Sequence, residues 1–178
     1  MTRQVTTHAQ LTENSGLASA AIKTLLWLLL AVVLLVLDQA TKSIASDALR
    51  YGEQVFVTPY FNWTMLHNTG AAFSFLSDAG GWQNGFFCGV AVLISTAIIY
   101  WLYQAPPAAH WQNLALTLVL GGALGNLYDR LTLGYVIDFI QLHYQGYYWP
   151  AFNVADAGIT VGAVILVLTS ILTRDSNV

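Results

Sequence analysis

Four aspartates occupy unusual surroundings in this sequence. Asp38 ends an apolar run, Asp129 precedes Arg130, Asp138 lies within Val136-Ile137-Asp138-Phe139-Ile140, and Asp156 lies within Val154-Ala155-Asp156-Ala157. A carboxylate near hydrocarbon is costly, so it marks a functional interior or finds a partner. Two carboxyls close together in a poorly hydrated site cannot readily both ionise, so one holds a proton and the other serves as a base. Such a pair activates water while protonating a carbonyl oxygen or a leaving amine. Asp129 and Arg130 could instead pair with each other's neighbours or across helices and hold the end of the third helix in place. Asp138 has no adjacent base. Asp156 has Asn153 three residues before it, about one helical turn, and could alternatively cap a helix. Spacing leaves open which acids meet.

Other chemistries lack their residues. No G-x-S-x-G or H-E-x-x-H occurs, and no glycine-rich loop with a following lysine. His8, His67, His110 and His143 are scattered without ligand spacing. Gly121, Gly122 and Gly125 read as small residues for close helix packing. The single Cys88, among Phe86, Phe87 and Val90, reads as an inert buried thiol. Asn62-Trp63-Thr64 matches a glycosylation sequon, a triplet frequent by chance. Six basic residues against nine acidic ones give a net charge of −3. No basic patch exists to neutralise phosphates, so a nucleic-acid partner is set aside.

The elements that position these acids belong to lipid. Of 178 residues, 56% are hydrophobic and only 8% charged, where soluble domains carry roughly 25%. Residues 79–128 contain no Asp, Glu, Lys or Arg, a run too long for one span of about 20 residues. Pro106 and Pro107 place a turn near its middle, giving helices over about 83–103 and 111–128, with Trp82, Trp101, Tyr103 and Trp111 as interfacial aromatics. Thr24–Leu37 becomes long enough to span when extended through Asp38 to about Ile44. The 157–173 stretch does so when it begins near Val154 and takes in Asp156. A cleaved signal peptide over residues 1–45 is disfavoured, because the core runs into Asp38 and Lys42 rather than a small-residue cleavage site.

Four spans put both termini on one side. Parity then sends Asp38, Asn68, Asn126, Asp129, Arg130, Asp138, Asn153 and Asp156 to the opposite face. Basic residues tie between the two sides, so the positive-inside rule does not decide orientation; the Lys23 flank and the uncharged 104–110 turn favour termini inside. Within 45–81, Gln54–Val57 and Phe61–Leu66 have the content of short strands, separated by a Thr58-Pro59 turn. A small sheet there would hold Asn68, Gly70 and Phe73 over the helix ends. His143–Trp149 is aromatic-rich and suits the membrane interface.

Five blocks together resemble the lipoprotein signal peptidases, the type II bacterial signal peptidases. They are Asp38-Gln39-Ala40-Thr41-Lys42, then His67-Asn68-Thr69-Gly70-Ala71-Ala72-Phe73-Ser74, then Gly121-Gly122-Ala123-Leu124-Gly125-Asn126-Leu127-Tyr128-Asp129-Arg130, then Gly134-Tyr135-Val136-Ile137-Asp138-Phe139, and finally Phe152-Asn153-Val154-Ala155-Asp156. Their order covers roughly residues 24–173. Tyr128 stands where many relatives carry an aliphatic residue.

The resemblance implies an all-α membrane protein with four transmembrane helices and a small extracytoplasmic β-sheet segment over 45–81. A single peptidase domain over 1–178 with a flexible N-terminal tail over 1–20 is expected. Implied too are an aspartyl endopeptidase with Asp138 and Asp156 as its catalytic pair, and Asp38, Lys42, Asn68, Gly70, Asn126, Asp129, Arg130 and Asn153 lining or supporting the site. Asn68 and Arg130 would contact substrate. That substrate is a prolipoprotein carrying diacylglycerol on its lipobox cysteine, cut immediately before that cysteine. Membrane lipid is a further partner, and globomycin-like cyclic peptides would block the site. No metal or organic cofactor is implied, and a monomer in the bacterial inner membrane with cytoplasmic termini is expected. A short amphipathic helix between the third and fourth spans would cover the site. The competing reading is a small proton or ion transporter with the acids as a relay; it needs polar residues toward both faces, and the 83–120 hairpin offers almost none on the inner side. A noncatalytic assembly factor is the third.

Overall fold

The computed structural model describes residues 2–70, 81–106 and 108–175. Chain order is α1 (Thr2–Ala48), β1 (Gln54–Thr58), β2 (Phe61–Asn68), α2 (Trp82–Gln104), α3 (His110–Thr132), β3 (Val136–Tyr144), β4 (Tyr147–Tyr148) and α4 (Val154–Asp175). Ala21–Ala48, Trp82–Gln104 and Val154–Leu172 are long and apolar enough to cross a membrane. Their outer surfaces are apolar, with Leu25, Leu26 and Val36 on α1, Leu93 on α2 and Val167 and Leu172 on α4 all exposed. In water that surface would be costly, whereas in hydrocarbon a helix with its backbone internally satisfied is at home.

α3 differs because it is the hub. It packs against α1, α2 and α4, and it buries Asn113, Thr117, Asn126 and Asp129 together with three glycines. Its polar side chains therefore face protein. Gly121 shows why it is small: a Cβ there would lie 2.7 Å from the Ala31 carbonyl oxygen of α1. Gly122 approaches the Ala155 carbonyl of α4 closer still. Below these contacts Ala31, Ile98, Leu102, Leu116 and Leu120 form the apolar core.

The helices lie where hydrophobic runs and prolines place them, with α3 continuing through Asp129 and Arg130 to Thr132. The N-terminal stretch, read in the sequence as a tail over 1–20, has helical backbone from Thr2, and it contains no proline to interrupt a helix.

The strands form one antiparallel order, β1-β2-β3-β4, resting on the end of α1 through Ala45, Leu49, Met65, Ile137 and Phe139. Register pairs Leu66 with Asp138, His67 with Ile137 and Asn68 with Val136. β1 and β2 match the expected strands, while Phe73 lies outside the described residues. The amphipathic helix expected between the third and fourth spans is not there: β3 and β4 occupy that stretch. Gly134 at φ 84° ends α3 in the left-handed conformation that favours glycine, and the following Val-Ile-Asp-Phe-Ile is a short β-branched and aromatic run that pairs with β2 and is buried along Val136–Phe139. A two-residue turn at Gln145 and Gly146, both at positive φ, returns the chain as a hairpin.

Candidate active site

Three helix ends and two strands converge on one end of the bundle. α1 contributes Asp38, Gln39 and Lys42; α3 contributes Asn126, Asp129 and Arg130; β2 and β3 contribute Asn68 and Asp138; and the start of α4 contributes Asn153 and Asp156. All ten expected site residues, Gly70 included, meet here.

A buried cation holds α1 to α3. The Lys42 ammonium lies 2.7 Å from Asp38 Oδ2 and 2.9 Å from Asp129 Oδ2, with Lys42 only 1% exposed. Asp129 thus pairs across helices with Lys42 and holds the end of α3 to α1, the structural role open to it in the sequence. Asp129 Oδ2 also accepts the Ile137 N–H at 3.1 Å, tying α3 to β3. Asp38 Oδ1 accepts the Ala155 N–H at 2.9 Å, satisfying a free donor at the start of α4. A Cβ on Gly125 would stand 2.6 Å from Asp38 Oδ2, so the glycine makes room for this carboxylate.

Asp138 and Asp156 are held by asparagines. Asp138 Oδ2 accepts from Asn68 Nδ2 at 3.0 Å and its Oδ1 from Asn153 Nδ2 at 2.8 Å. Asp156 Oδ1 accepts from Asn126 Nδ2 at 2.7 Å and its Oδ2 from the Asn153 main-chain N–H at 3.3 Å. Asn153 therefore touches both acids. It is the N-cap of α4: its Oδ1 accepts the Asp156 N–H at 2.9 Å, and the reciprocal bond from its own N–H completes a capping box. The sequence left Asp156 as either a functional acid or a cap, and it is the cap's third residue while its other oxygen faces Asn126. Asp138 is 3% exposed. Burial first, then the Asp156 charge, push its pKa up to about 7, against the opposing pull of hydrogen bonds from Asn68 and Asn153.

Beside the pair opens an apolar cavity of about 540 Å³. Phe87, Val90 and Ile94 of α2 face Ala157, Ile159 and Val161 of α4 across it, and Asn68, Asn126, Arg130 and Asp156 form its polar end. Asp138 stands behind that end, bonded to Asn68. Arg130 Nη2 donates to the Gly70 carbonyl at 2.8 Å and Nη1 to the Asn126 carbonyl at 3.4 Å. Its guanidinium carbon lies 5.4 Å from the Phe87 ring centre, a cation–π distance.

Two contributors were missed in the sequence. Gln39 Nε2 donates to Asp129 Oδ1 at 2.8 Å and contacts Asp38 Oδ2 and the Gly125 carbonyl at 3.2 Å, acting as a second clasp between α1 and α3. An amide between Asp38 and Lys42 in an apolar helix was the available signal. Phe87 supports Arg130 from α2; one aromatic among many carried no signal. Cys88, expected to be buried, is half-exposed.

A helical bundle with buried carboxyls at the polar end of an apolar cleft defines a multi-pass membrane protein of hydrolytic character. Comparison with known proteins agrees. The family described as signal peptidase (SPase) II matches residues 30–172. A lipoprotein signal peptidase of Acinetobacter baylyi is 50% identical over 159 residues, covering 89% of each chain. One of Pseudomonas aeruginosa is 48% identical over 153 residues, covering 85% of this chain and 90% of that one. A solved bacterial membrane enzyme superposes with a TM-score of 0.75 at 33% identity, covering 85% of this chain and 90% of the other. The chain belongs to the signal peptidase II family of aspartic peptidases.

Proposed function

We propose that this protein cleaves the signal peptide from diacylglyceryl-modified prolipoproteins immediately before the lipidated cysteine, with Asp138 and Asp156 as the catalytic pair. The observation that carries this reading is the joint hold of Asn153 on both buried acids, beside an apolar cavity that Asp156 lines. Asp138, its pKa raised to about 7, carries the proton in the active form, leaving Asp156 as the base. Asp156 takes a proton from water as the oxygen attacks the scissile carbonyl, and Asp138 protonates the carbonyl oxygen. As the tetrahedral adduct collapses, Asp138 recovers its proton and Asp156 passes its own to the departing cysteine amine.

The apolar cleft between α2 and α4 suits the diacylglycerol tails, and its polar end suits the peptide. Asn68 and Arg130 contact the substrate backbone; Arg130 Nε, buried and without a partner among the described residues, is a donor ready for a carbonyl. The same cleft would admit globomycin-like cyclic peptides. α3 is the fourth span, apolar enough once its polar face is covered by neighbours. One domain occupies 1–178 as a monomer in the bacterial inner membrane. Its termini are cytoplasmic and its sheet extracytoplasmic. That sheet carries exposed Tyr144, Tyr147, Tyr148 and Trp149, which suit the headgroup layer. Family membership does not favour the transporter alternative.

The test is cleavage of a diacylated precursor peptide beside its nonlipidated copy. Wild type should process only the lipidated form, and Asp138→Asn and Asp156→Asn neither. Turnover by either variant would refute the assigned pair.

A further inference from the structure

Each asparagine amide in the site has two orientations that differ by exchange of its oxygen and nitrogen. A neighbour that can only donate resolves each one. Asn68 Oδ1 accepts the Gly70 N–H at 3.0 Å, and Asn153 Oδ1 accepts the Asp156 N–H at 2.9 Å. Both of these locks are main chain. The third is a side chain from another helix: the Lys42 ammonium donates to Asn126 Oδ1 at 3.0 Å. Asn153 Nδ2 reaches the same oxygen at 3.3 Å, but its shorter bonds go to Asp138 and the Ile137 carbonyl.

An ammonium has three hydrogens, and Lys42 has three acceptors: Asp38, Asp129 and Asn126. None is left for substrate, from which the residue is buried in any case. We propose that Lys42 is a positioning residue for hydrolysis: it turns the Asn126 oxygen away from Asp156, so that only the Asn126 nitrogen can face the catalytic oxygen. Asp38 and Asp129 offset the charge that allows an ammonium to be buried there. Without the ammonium only the longer 3.3 Å contact from Asn153 Nδ2 opposes rotation of the amide, and a rotated oxygen would oppose the lone pairs of Asp156 Oδ1. The other charged groups around Asp156 are Asp138 from β3 and Arg130 from α3, and neither bonds the Asn126 side chain.

This inference rests on the catalytic assignment of Asp156. Its test uses full-length enzyme in an Asp129→Asn background, so that removing Lys42 strands one carboxylate fewer. Adding Lys42→Met to that background should lower kcat about tenfold or more, leaving KM within about twofold. Asn126→Ala should do the same, and the two together should cost no more than about threefold beyond Asn126→Ala alone, because both remove one interaction. Multiplying losses, an unchanged kcat, or an effect confined to KM would overturn the positioning role. In wild-type enzyme a magnetic-resonance contact between Lys42 Nζ and Asn126 Cγ is expected, and its absence would overturn the role even if the variants do not fold. Normal turnover by Asp156→Asn would instead remove the catalytic assignment beneath it.

Discussion

Asn153 and Asp156 bind each other twice, the Asn153 oxygen accepting the Asp156 N–H at 2.9 Å and an Asp156 oxygen accepting the Asn153 N–H at 3.3 Å. The capping device that starts α4 thereby fixes the rotamer of a proposed catalytic acid. Helix initiation and active-site geometry are one set of bonds.

These two contributions of Asn153 are separable. Asn153→Ser keeps a capping oxygen but loses the amide that reaches Asp138. Serine and asparagine cap about equally well, so the helix start is retained, but the buried Asp138 oxygen and Ile137 carbonyl lose their amide donor at a cost of about 1–3 kcal/mol. Turnover should still fall at least about tenfold, the cost of one charge-assisted bond at the reacting group. Asn153→Ala should lose the cap as well, with about 1 kcal/mol more of stability gone. Thermal unfolding in detergent beside cleavage rates checks both variants.

The raised pKa of Asp138, about 7, sets a pH limit. Hydrolysis needs its proton, so kcat/KM should fall above about pH 7, approaching a tenfold loss per pH unit. Stability moves in the same direction. An acid that holds its proton more tightly folded than unfolded contributes fully below its ordinary value of 3.8. That contribution is lost as pH rises toward 7. Asp138→Asn should flatten the stability profile between these values, and unfolding midpoints measured across that range would show it.

The Lys42 cluster predicts a contrast among the acids. Asp129→Ala leaves a buried ammonium with half its counter-charge and should destabilise by about 3–5 kcal/mol. Asp138→Asn and Asp156→Asn each keep one of two acceptors and set the new NH2 against the other donor, so they should cost about 1–3 kcal/mol, less than Asp129→Ala, while abolishing turnover. Equal destabilisation by all three would contradict this division of labour.

Gly125→Ala tests close packing at the same place. Its Cβ would meet Asp38 Oδ2 at 2.6 Å, a contact that forces the helices apart at a cost of about 1–3 kcal/mol. The Asp38 bond to the Ala155 N–H should weaken with it. Slower turnover together with a lower unfolding midpoint is expected.

Much of this architecture is legible in the amino-acid order. Uncharged runs, Pro106 and the turn residues set helix number and approximate bounds, and hydrocarbon cost singles out the aspartates. Partners are harder to read. Lys42 bonds residues 84 and 87 positions away, and nothing local distinguishes Asp129, which takes Lys42, from Asp138, which takes two amides. Resemblance to a family points to Asp138, but the reason is tertiary: register and helix packing decide which donors reach which acid. The helix expected after α3 gives way because a β-branched and aromatic run begins at Val136 directly after the Gly134 turn, and pairing with β2 takes it up as a strand.

The register of β2 against β3 carries a last consequence. Trp63 faces Ile140 and Leu66 faces Asp138, so one extra residue of β2 is absorbed in a bulge between them. Strand side chains alternate sides, and a slip of one position along β3 would turn Asp138 into the apolar core beside Met65 and bring Ile137 or Phe139 in. Inserting one residue into β3 ahead of Asp138 would leave every helix intact and yet exile a reacting group from its chamber. The chemistry of this molecule is thus indexed by whether a count is odd or even.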